Sequence, residues 1–312
     1  MHKFAALACL AALALASACS PKTPESAEES YRIANHHLRE GAYPLAIEHY
    51  RDMLDQHPFS DLAEEAELKI GYAHFQDHAC PEAIAAFTDF QRRHPTSPYL
   101  PLVGYLVGLC SEREMKSPDR DQSASQNAHA YYRAVINQYP ESPYADLAQE
   151  RLLHCRESLA DHELLVANFY GSAGNQTAAE VRLIDLVRRY NDTDQAGDAL
   201  YELAKLYEEH DAPDKAALAY AALLYHHPDH DLAKSASAEL DALIGDDDRP
   251  AGDPLAALIA RSGRSRKLVQ GPADPANLAP GGGPGGPGRP RLGFNQPAPG
   301  SSGLGMPSSG YH

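Results

Sequence analysis

A pattern of small residues repeats along most of the chain and limits what it can fold into. Five segments each carry one small residue, at positions 34, 71, 108, 167 and 204. Each also carries an alanine further on, at positions 46, 83, 128, 179 and 216. Small side chains let helix axes approach closely, and residues four apart lie on one helix face. Each segment is therefore predicted to form two closely packed helices.

Prolines mark the end of the second helix in four of the five segments. They are Pro58, Pro95, Pro140 and Pro228. Proline lacks an N–H group and keeps the preceding residue out of the helical conformation. The pattern resembles the tetratricopeptide repeat (TPR), which implies an all-α fold, a right-handed superhelix of five antiparallel helix pairs over residues 30–244. A single pair cannot bury its apolar face, but five stacked pairs can.

Two irregularities interrupt the repeat. The third segment carries additional residues between its helices, within Glu114–Ala124. Between Pro140 and Val166 there is room for more helix, and Tyr144–Leu165 is predicted as one helix of ~22 residues, or ~33 Å. We expect this helix to stiffen the middle of the superhelix.

The C-terminal segment has a different composition, and the repeat pattern stops after Ile244. Pro254–Ser262 is expected to form a short helix. Of the 42 residues from Gly271 to the end, 21 are glycine or proline. Such a composition buries too little apolar area to offset the entropy of ordering, so residues 245–312 are predicted to form a disordered basic tail. The tail carries the cations Arg261, Arg264, Arg266 and Lys267. They either bind another envelope component or only keep the tail soluble.

The N-terminus has the features of an export signal. Lys3 precedes an apolar run that ends at Leu15 and is shorter than the ~20 residues needed to span a bilayer. Small residues before Cys19 resemble a bacterial lipobox. This resemblance implies a lipoprotein signal peptide over residues 1–18, a covalent lipid (palmitate) on Cys19, and a tether over residues 19–29. Ordinary cleavage after Ala18 is the alternative.

Three more cysteines lie in the body of the chain, namely Cys80, Cys110 and Cys155. An odd number without CxxC spacing is not typical of a disulfide framework. We interpret them as buried small hydrophobic residues rather than as a bridge or a reactive thiol.

The sequence contains no P-loop, GxGxxG, GxSxG or HExxH motif. His74 and His78 have helical spacing for a metal but no evident third ligand, and the histidines at positions 226, 227 and 230 have the character of loop residues. We therefore expect no enzyme activity, no metal and no cofactor beyond the covalent lipid. The formal net charge of −16 argues against binding nucleic acid.

Four motifs resemble the BamD family of outer-membrane assembly lipoproteins. They are His57-Pro58-Phe59-Ser60, the segment Arg93–Pro98, Asp119-Arg120-Asp121 and the segment Leu159–Tyr170. In that family tyrosine is commoner at position 57 and proline at position 191. The resemblance covers the repeats and implies a lipid-anchored protein on the periplasmic face of the outer membrane, within the β-barrel assembly complex.

The resemblance also implies a surface that binds unfolded outer-membrane proteins. The first helices of TPR repeats line a concave face, which here would include Glu28, Leu38, Glu65, Leu68 and Gln76. The residues predicted to bind the aromatic C-terminal signal of clients are Tyr31, Asn35, Arg39, His57, Phe59, Tyr72 and Phe75. Packing between repeats is the alternative role for Tyr72 and Phe75, and a structural plug is the alternative for Phe59.

A second surface, on repeats three to five, is implied to contact the periplasmic POTRA domains of a BamA-like central barrel subunit. Arg182 aligns with an arginine that the family uses in that contact, and Arg189 is assigned with it. Exposed, solubilising arginines are the alternative. Other lipoproteins of the complex are further candidate partners.

Two other functions stay open at this point. One is a different TPR lipoprotein scaffold, such as a pilotin that assembles a secretin or a protein that coordinates cell-wall synthesis. The other is a histidine-based metal protein or enzyme.

Overall fold

Helices follow one another throughout the part of the chain that the computed structural model describes, residues 26–244 and 252–262. Twelve helices and no strand lie within these residues. The predicted signal peptide, Cys19 and the residues after Ser262 lie outside them. The helices are α1 (Ala27–Arg39), α2 (Tyr43–Gln56), α3 (Ala63–Gln76), α4 (Cys80–Arg93), α5 (Leu100–Arg113), α6 (Ser123–Gln138), α7 (Pro143–Ser172), α8 (Gln176–Arg189), α9 (Asp194–Glu209), α10 (Pro213–His226), α11 (Ala233–Leu243) and α12 (Pro254–Ser262).

The helices pack as the five predicted pairs. The pairs are α1 with α2, α3 with α4, α5 with α6, the C-terminal part of α7 with α8, and α9 with α10. Each pair also packs against the next, so the apolar clusters continue from one repeat to its neighbour. The all-α, TPR-like fold is confirmed for the described residues.

The small residues lie where the two helices of each pair touch, and all ten are buried. Glycine is required at two of them. A Cβ at Gly71 would lie 2.6 Å from the ring of Phe87, and a Cβ at Gly108 would lie 2.5 Å from the ring of Tyr132. In these two repeats the aromatic ring of the second helix therefore rests directly on the backbone of the first.

The residues before the four prolines end their helices as predicted. They have φ values from −121° to −135° and ψ values from 54° to 62°, outside the helical region. They are His57, His94, Tyr139 and His227. Tyr190 ends α8 in a similar way, with φ −126° and ψ 34°, although Asn191 follows it. The missing proline of repeat four therefore does not change the architecture.

The long central helix is present and longer than predicted. α7 contains 30 residues and is about 45 Å long at 1.5 Å per residue. Its N-terminal part packs on α6 through Ala148, Leu152 and Cys155, and its C-terminal part pairs with α8. The predicted boundary between a stiffening helix and the first helix of repeat four is wrong, because the repeat pattern restarts at Val166 without a residue that breaks the helix.

The short helix predicted over Pro254–Ser262 is also present, as α12. It packs on α10, with Leu258 fully buried and Leu255 5% exposed. His226 Nε2 at the end of α10 lies 2.9 Å from Asp253 Oδ1, which also accepts the backbone N–H of Leu255. The ordered body therefore includes one helix from residues 245–312. Arg261 is exposed on this helix, and the other three tail cations lie outside the described residues.

Candidate binding surfaces

A polar network joins the first helices of repeats one and two. The Lys69 ammonium group donates to Asn35 Oδ1 at 2.6 Å and to the Tyr31 hydroxyl at 2.8 Å. The Tyr50 hydroxyl donates to the same Asn35 oxygen at 2.8 Å. Glu65 completes the network through an ion pair with Lys69 at 3.0 Å. Lys69 therefore joins Tyr31 and Asn35, and their role in binding clients stays a prediction.

Tyr31 and Glu65 have shifted pKa values in this network. Burial and a hydrogen bond to Glu65 raise the pKa of Tyr31. Burial acts to raise the pKa of Glu65, but hydrogen bonds from Tyr31 and Lys69 outweigh it and the pKa is lowered. The network therefore holds a neutral phenol between a carboxylate and an ammonium group. Sequence reasoning missed Lys69, although its position four residues after Glu65 is the spacing of a helical ion pair.

Phe59 is 99% exposed at the turn between α2 and α3. The backbone N–H of Ser60 donates to the carbonyl of His57, and the Ser60 hydroxyl accepts the N–H of Leu62 at 3.2 Å. The turn therefore presents the ring to solvent, and the alternative role of Phe59 as a structural plug is wrong. Arg39 is exposed on α1, where its Nε donates to the backbone oxygen of Asn35 at 3.2 Å.

Tyr72 and Phe75 of α3 have different environments. Phe75 is 4% exposed, and the guanidinium group of Arg113 lies 4.1 Å from the centre of its ring. Tyr72 is partly exposed and its hydroxyl accepts a hydrogen bond from Gln76. Phe75 therefore packs between repeats, and its assignment to the binding surface is wrong. Tyr72 remains accessible.

The two arginines of the second predicted surface share one carboxylate. Arg182 and Arg189 of α8 donate to the two oxygens of Glu163 on α7, at 3.2 and 2.8 Å. The Glu163 side chain is 13% exposed, whereas that of Arg182 is 42% exposed. Arg182 therefore keeps outward donors available while Glu163 holds its orientation. Arg188 pairs instead with Asp185, at 2.8 Å.

The insertion of repeat three lies against the same long helix. His162 Nδ1 is 2.6 Å from the backbone oxygen of Pro118. The side chain of Gln122, which is 6% exposed, donates to two carbonyl groups of the insertion. A groove of about 650 Å³ lies beside it, lined in part by Leu165 and Phe169, which are 45% and 66% exposed. This apolar groove is an accessible surface that sequence reasoning missed.

The histidines do not form a metal centre in the described part of the chain. No group of three His, Cys, Asp or Glu side chains within residues 26–244 and 252–262 has an arrangement that could hold a metal ion. None of the helices described there combines the length and apolar character needed to cross a bilayer.

Comparison with known proteins identifies the family. The family model described as "Outer membrane lipoprotein", YfiO, matches residues 23–223. The outer membrane protein assembly factor BamD of Pasteurella multocida (strain Pm70) is 28% identical over 200 residues, which are 61% of this chain and 77% of that protein. BamD of Caulobacter vibrioides (strain ATCC 19089) is 28% identical over 251 residues, 80% of each chain.

A solved structure of a thermophilic TPR protein from Thermus thermophilus has 17% identity and a TM-score of 0.31, covering 70% of this chain and 98% of that one. The family model covers more than half of the chain and all the helices from α1 to α9. The chain therefore belongs to the YfiO family of outer membrane lipoproteins.

Proposed function

We propose that this protein is a lipid-anchored scaffold of the β-barrel assembly complex, which binds the central barrel subunit and unfolded outer-membrane proteins and promotes their insertion. The family match over residues 23–223 carries this proposal. It is supported by relatives named outer membrane protein assembly factor, of whose length the matches cover 77% and 80%. Stacked helical repeats form the extended binding surfaces that a scaffold needs.

The anchor is the lipid on Cys19, at the periplasmic face of the outer membrane. The predicted tether of residues 19–29 overlaps α1, which begins at Ala27, so only the residues before Ala27 would separate this lipid from the folded body. Acyl chains on one cysteine provide membrane affinity because each buried CH₂ group contributes about 0.8 kcal/mol.

The contact with the POTRA domains of the barrel subunit uses the surface where α7 meets α8. Arg182 is held by Glu163 and still has 42% of its side chain exposed, so it can donate hydrogen bonds to a carboxylate of the partner. The exposed side chains of Leu165 and Phe169 lie about 200–240° around α7 from Glu163 and line the groove beside the insertion instead, so the proposed contact depends on the arginine. Arginine is among the residues that most often anchor a protein–protein interface.

Clients are bound by the first two repeats, through Phe59, Tyr72 and the network of Tyr31 and Asn35. A fully exposed phenylalanine just before α3 and a partly exposed tyrosine further along that helix provide apolar area and hydrogen-bonding groups in the first two repeats. An extended peptide with an aromatic C-terminal residue fits this chemistry. Arg39 and His57 would contact the polar part of such a peptide.

The barrel contact is tested by measuring how tightly the purified full-length protein binds the barrel subunit of the same envelope. Arg182→Glu should weaken binding about tenfold or more, because a charge-assisted hydrogen bond is replaced by repulsion. Arg188→Glu is the matched control, since Arg188 lies on the same helix and pairs with Asp185 instead of Glu163. Equal effects of the two variants would discard the proposed contact.

The client contact is tested with a labelled peptide that ends in an aromatic residue. Phe59→Ala should weaken its binding to the full-length protein severalfold, because the variant removes a fully exposed ring. Tyr225→Ala is the control, since Tyr225 is 63% exposed but lies at the end of α10. Unchanged binding by Phe59→Ala would remove this residue from the client site.

A further inference from the structure

Two of the three cysteines in the body of the chain lie side by side. Cys80 is the first residue of α4, and Cys110 lies in the last turn of α5. They are 2% and 0% exposed and belong to one apolar cluster. Both are free cysteines, and burial together with the neighbouring Cys80 thiol raises the pKa of Cys110. Cys155, by contrast, lies in the neighbouring cluster on α7, apart from both.

Contacts on either side of this pair hold the end of α5 against the corner between α3 and α4. Arg113, one turn from Cys110, donates to the backbone oxygen of Phe75 at 3.1 Å and covers the Phe75 ring. The corner itself is tight, because His78 has a φ of 59° and its N–H donates to the Phe75 carbonyl. The adjacency of the two thiols is therefore fixed by the packing of three helices.

We propose that Cys80 and Cys110 form a disulfide bond that links repeats two and three. This rests on the periplasmic location proposed above, because disulfides form and persist in oxidising compartments. The bond is a modification site distinct from the lipid on Cys19, and Cys155 stays a buried free thiol.

The bond forms by thiol–disulfide exchange with an oxidant that is itself a disulfide, either of an envelope oxidoreductase or of oxidised glutathione. One thiolate of the chain attacks the oxidant disulfide and forms a mixed disulfide, which releases one thiol of the oxidant. The second thiolate of the chain then attacks the mixed disulfide and releases the other thiol. Two chain thiols are oxidised and one oxidant disulfide is reduced to two thiols.

The burial of both sulfurs determines when this reaction takes place. Because Cys80 is 2% exposed and Cys110 is 0% exposed, an oxidant cannot reach their sulfur atoms in the folded repeats. The exchange therefore occurs as the exported chain folds, before α5 closes over the start of α4. Once formed, the bond closes a loop containing α4 and most of α5, which restricts the unfolded chain.

The test uses the full-length protein extracted from its native envelope. Free thiols are blocked with N-ethylmaleimide under denaturing conditions, and the unreduced protein is digested and mapped by mass spectrometry. We expect a peptide pair joined through Cys80 and Cys110, with Cys155 alkylated. Alkylation of both Cys80 and Cys110 in the native protein would overturn the proposal.

A refolding experiment shows which premise is at fault if the bond is missing. Reduced, unfolded full-length protein is refolded with oxidised and reduced glutathione and then mapped in the same way. A bond that forms in this mixture but not in the envelope contradicts the oxidising location. A bond absent from both contradicts the pairing itself, and leaves the function proposed above untouched.

A melting experiment measures how much reduction changes the Tm of each variant. This change is compared, rather than the Tm itself, because any cysteine variant can disturb a buried site. Protein that is reduced in denaturant and refolded in dithiothreitol should have a Tm about 5–10 °C below that of the oxidised protein. Cys80→Ala should abolish this difference, and the control Cys155→Ala should retain it. A wild-type protein whose Tm is unchanged by this treatment would contradict the proposed bond.

Discussion

Replacing Gly108 by alanine should destabilise the solenoid, although alanine is the better helix former. The new Cβ would lie 2.5 to 3.0 Å from three atoms of the Tyr132 ring. That ring is fully buried, and its hydroxyl donates to Glu112 at 2.5 Å. The ring therefore cannot move aside without losing packing or its hydrogen bond to a carboxylate.

The magnitude follows from two opposing effects. Overpacking a filled core costs about 1–3 kcal/mol, and weakening a hydrogen bond to a charged group adds about 1 kcal/mol. The helix propensity of alanine offsets about 1 kcal/mol. We expect a net loss of about 2 kcal/mol in the free energy of unfolding, or about 4–8 °C in Tm for a body of this size.

The assay is urea unfolding followed by circular dichroism at 222 nm. Gly171→Ala on α7 is the control, because its Cβ would meet nothing nearer than the Ala179 Cβ at 4.0 Å. It should be neutral or stabilise by up to about 1 kcal/mol. Equal midpoints for Gly108→Ala and the wild type would refute the close approach of α5 and α6.

Four further outcomes follow from the structure. Leu258→Ala should lower the free energy of unfolding by about 2–4 kcal/mol in a thermal melt, because the Leu258 side chain on α12 is fully buried. A loss below about 0.5 kcal/mol would mean that α12 does not pack on α10. Glu163→Gln should weaken the affinity for the barrel subunit less than Arg182→Glu does, because the glutamine variant releases Arg182 but leaves the positive charge of Arg182 in place. An equal loss of affinity would mean that Glu163 itself makes the contact. A hydrogen bond with His226 holds the pKa of Asp253 below its ordinary value, so its contribution to stability is present above about pH 4 and is lost as the pH falls through the folded-state pKa. Asp253→Asn should therefore reduce the acid dependence of Tm below that pH, and an unchanged acid dependence would show that the pair does not hold α12. Phe59→Ala should change the free energy of unfolding by no more than about 0.5 kcal/mol, and a larger loss would place the ring in a packed site.

The repeat architecture could be predicted because its cause is local. Small residues at a regular spacing and prolines at the helix ends are visible in the sequence, and all ten small positions are buried. The end of the long helix could not be located in this way. The repeat pattern shows where pairing with α8 begins, but no helix-breaking residue lies near Val166, so α7 continues through this point.

The candidate surfaces were harder to predict because they depend on distant residues. The TPR pattern places Phe75 on the inner face of α3, but Arg113, 38 residues further along, covers it. Glu163 was missed as the partner of Arg182 and Arg189 for the same reason, since they are 19 and 26 residues away. The groove beside the insertion depends on the contact of His162 with Pro118, which no periodicity reveals.

The most direct test of the account is to identify what the protein binds in its own envelope. Full-length protein carrying a C-terminal affinity tag is captured in mild detergent from native membranes, and its stoichiometric partners are identified by mass spectrometry. We expect a large β-barrel subunit with periplasmic POTRA domains, recovered in lower yield with Arg182→Glu than with Arg188→Glu. Stoichiometric recovery of a secretin or a cell-wall enzyme, without that barrel subunit, would contradict the proposed role in outer-membrane protein assembly.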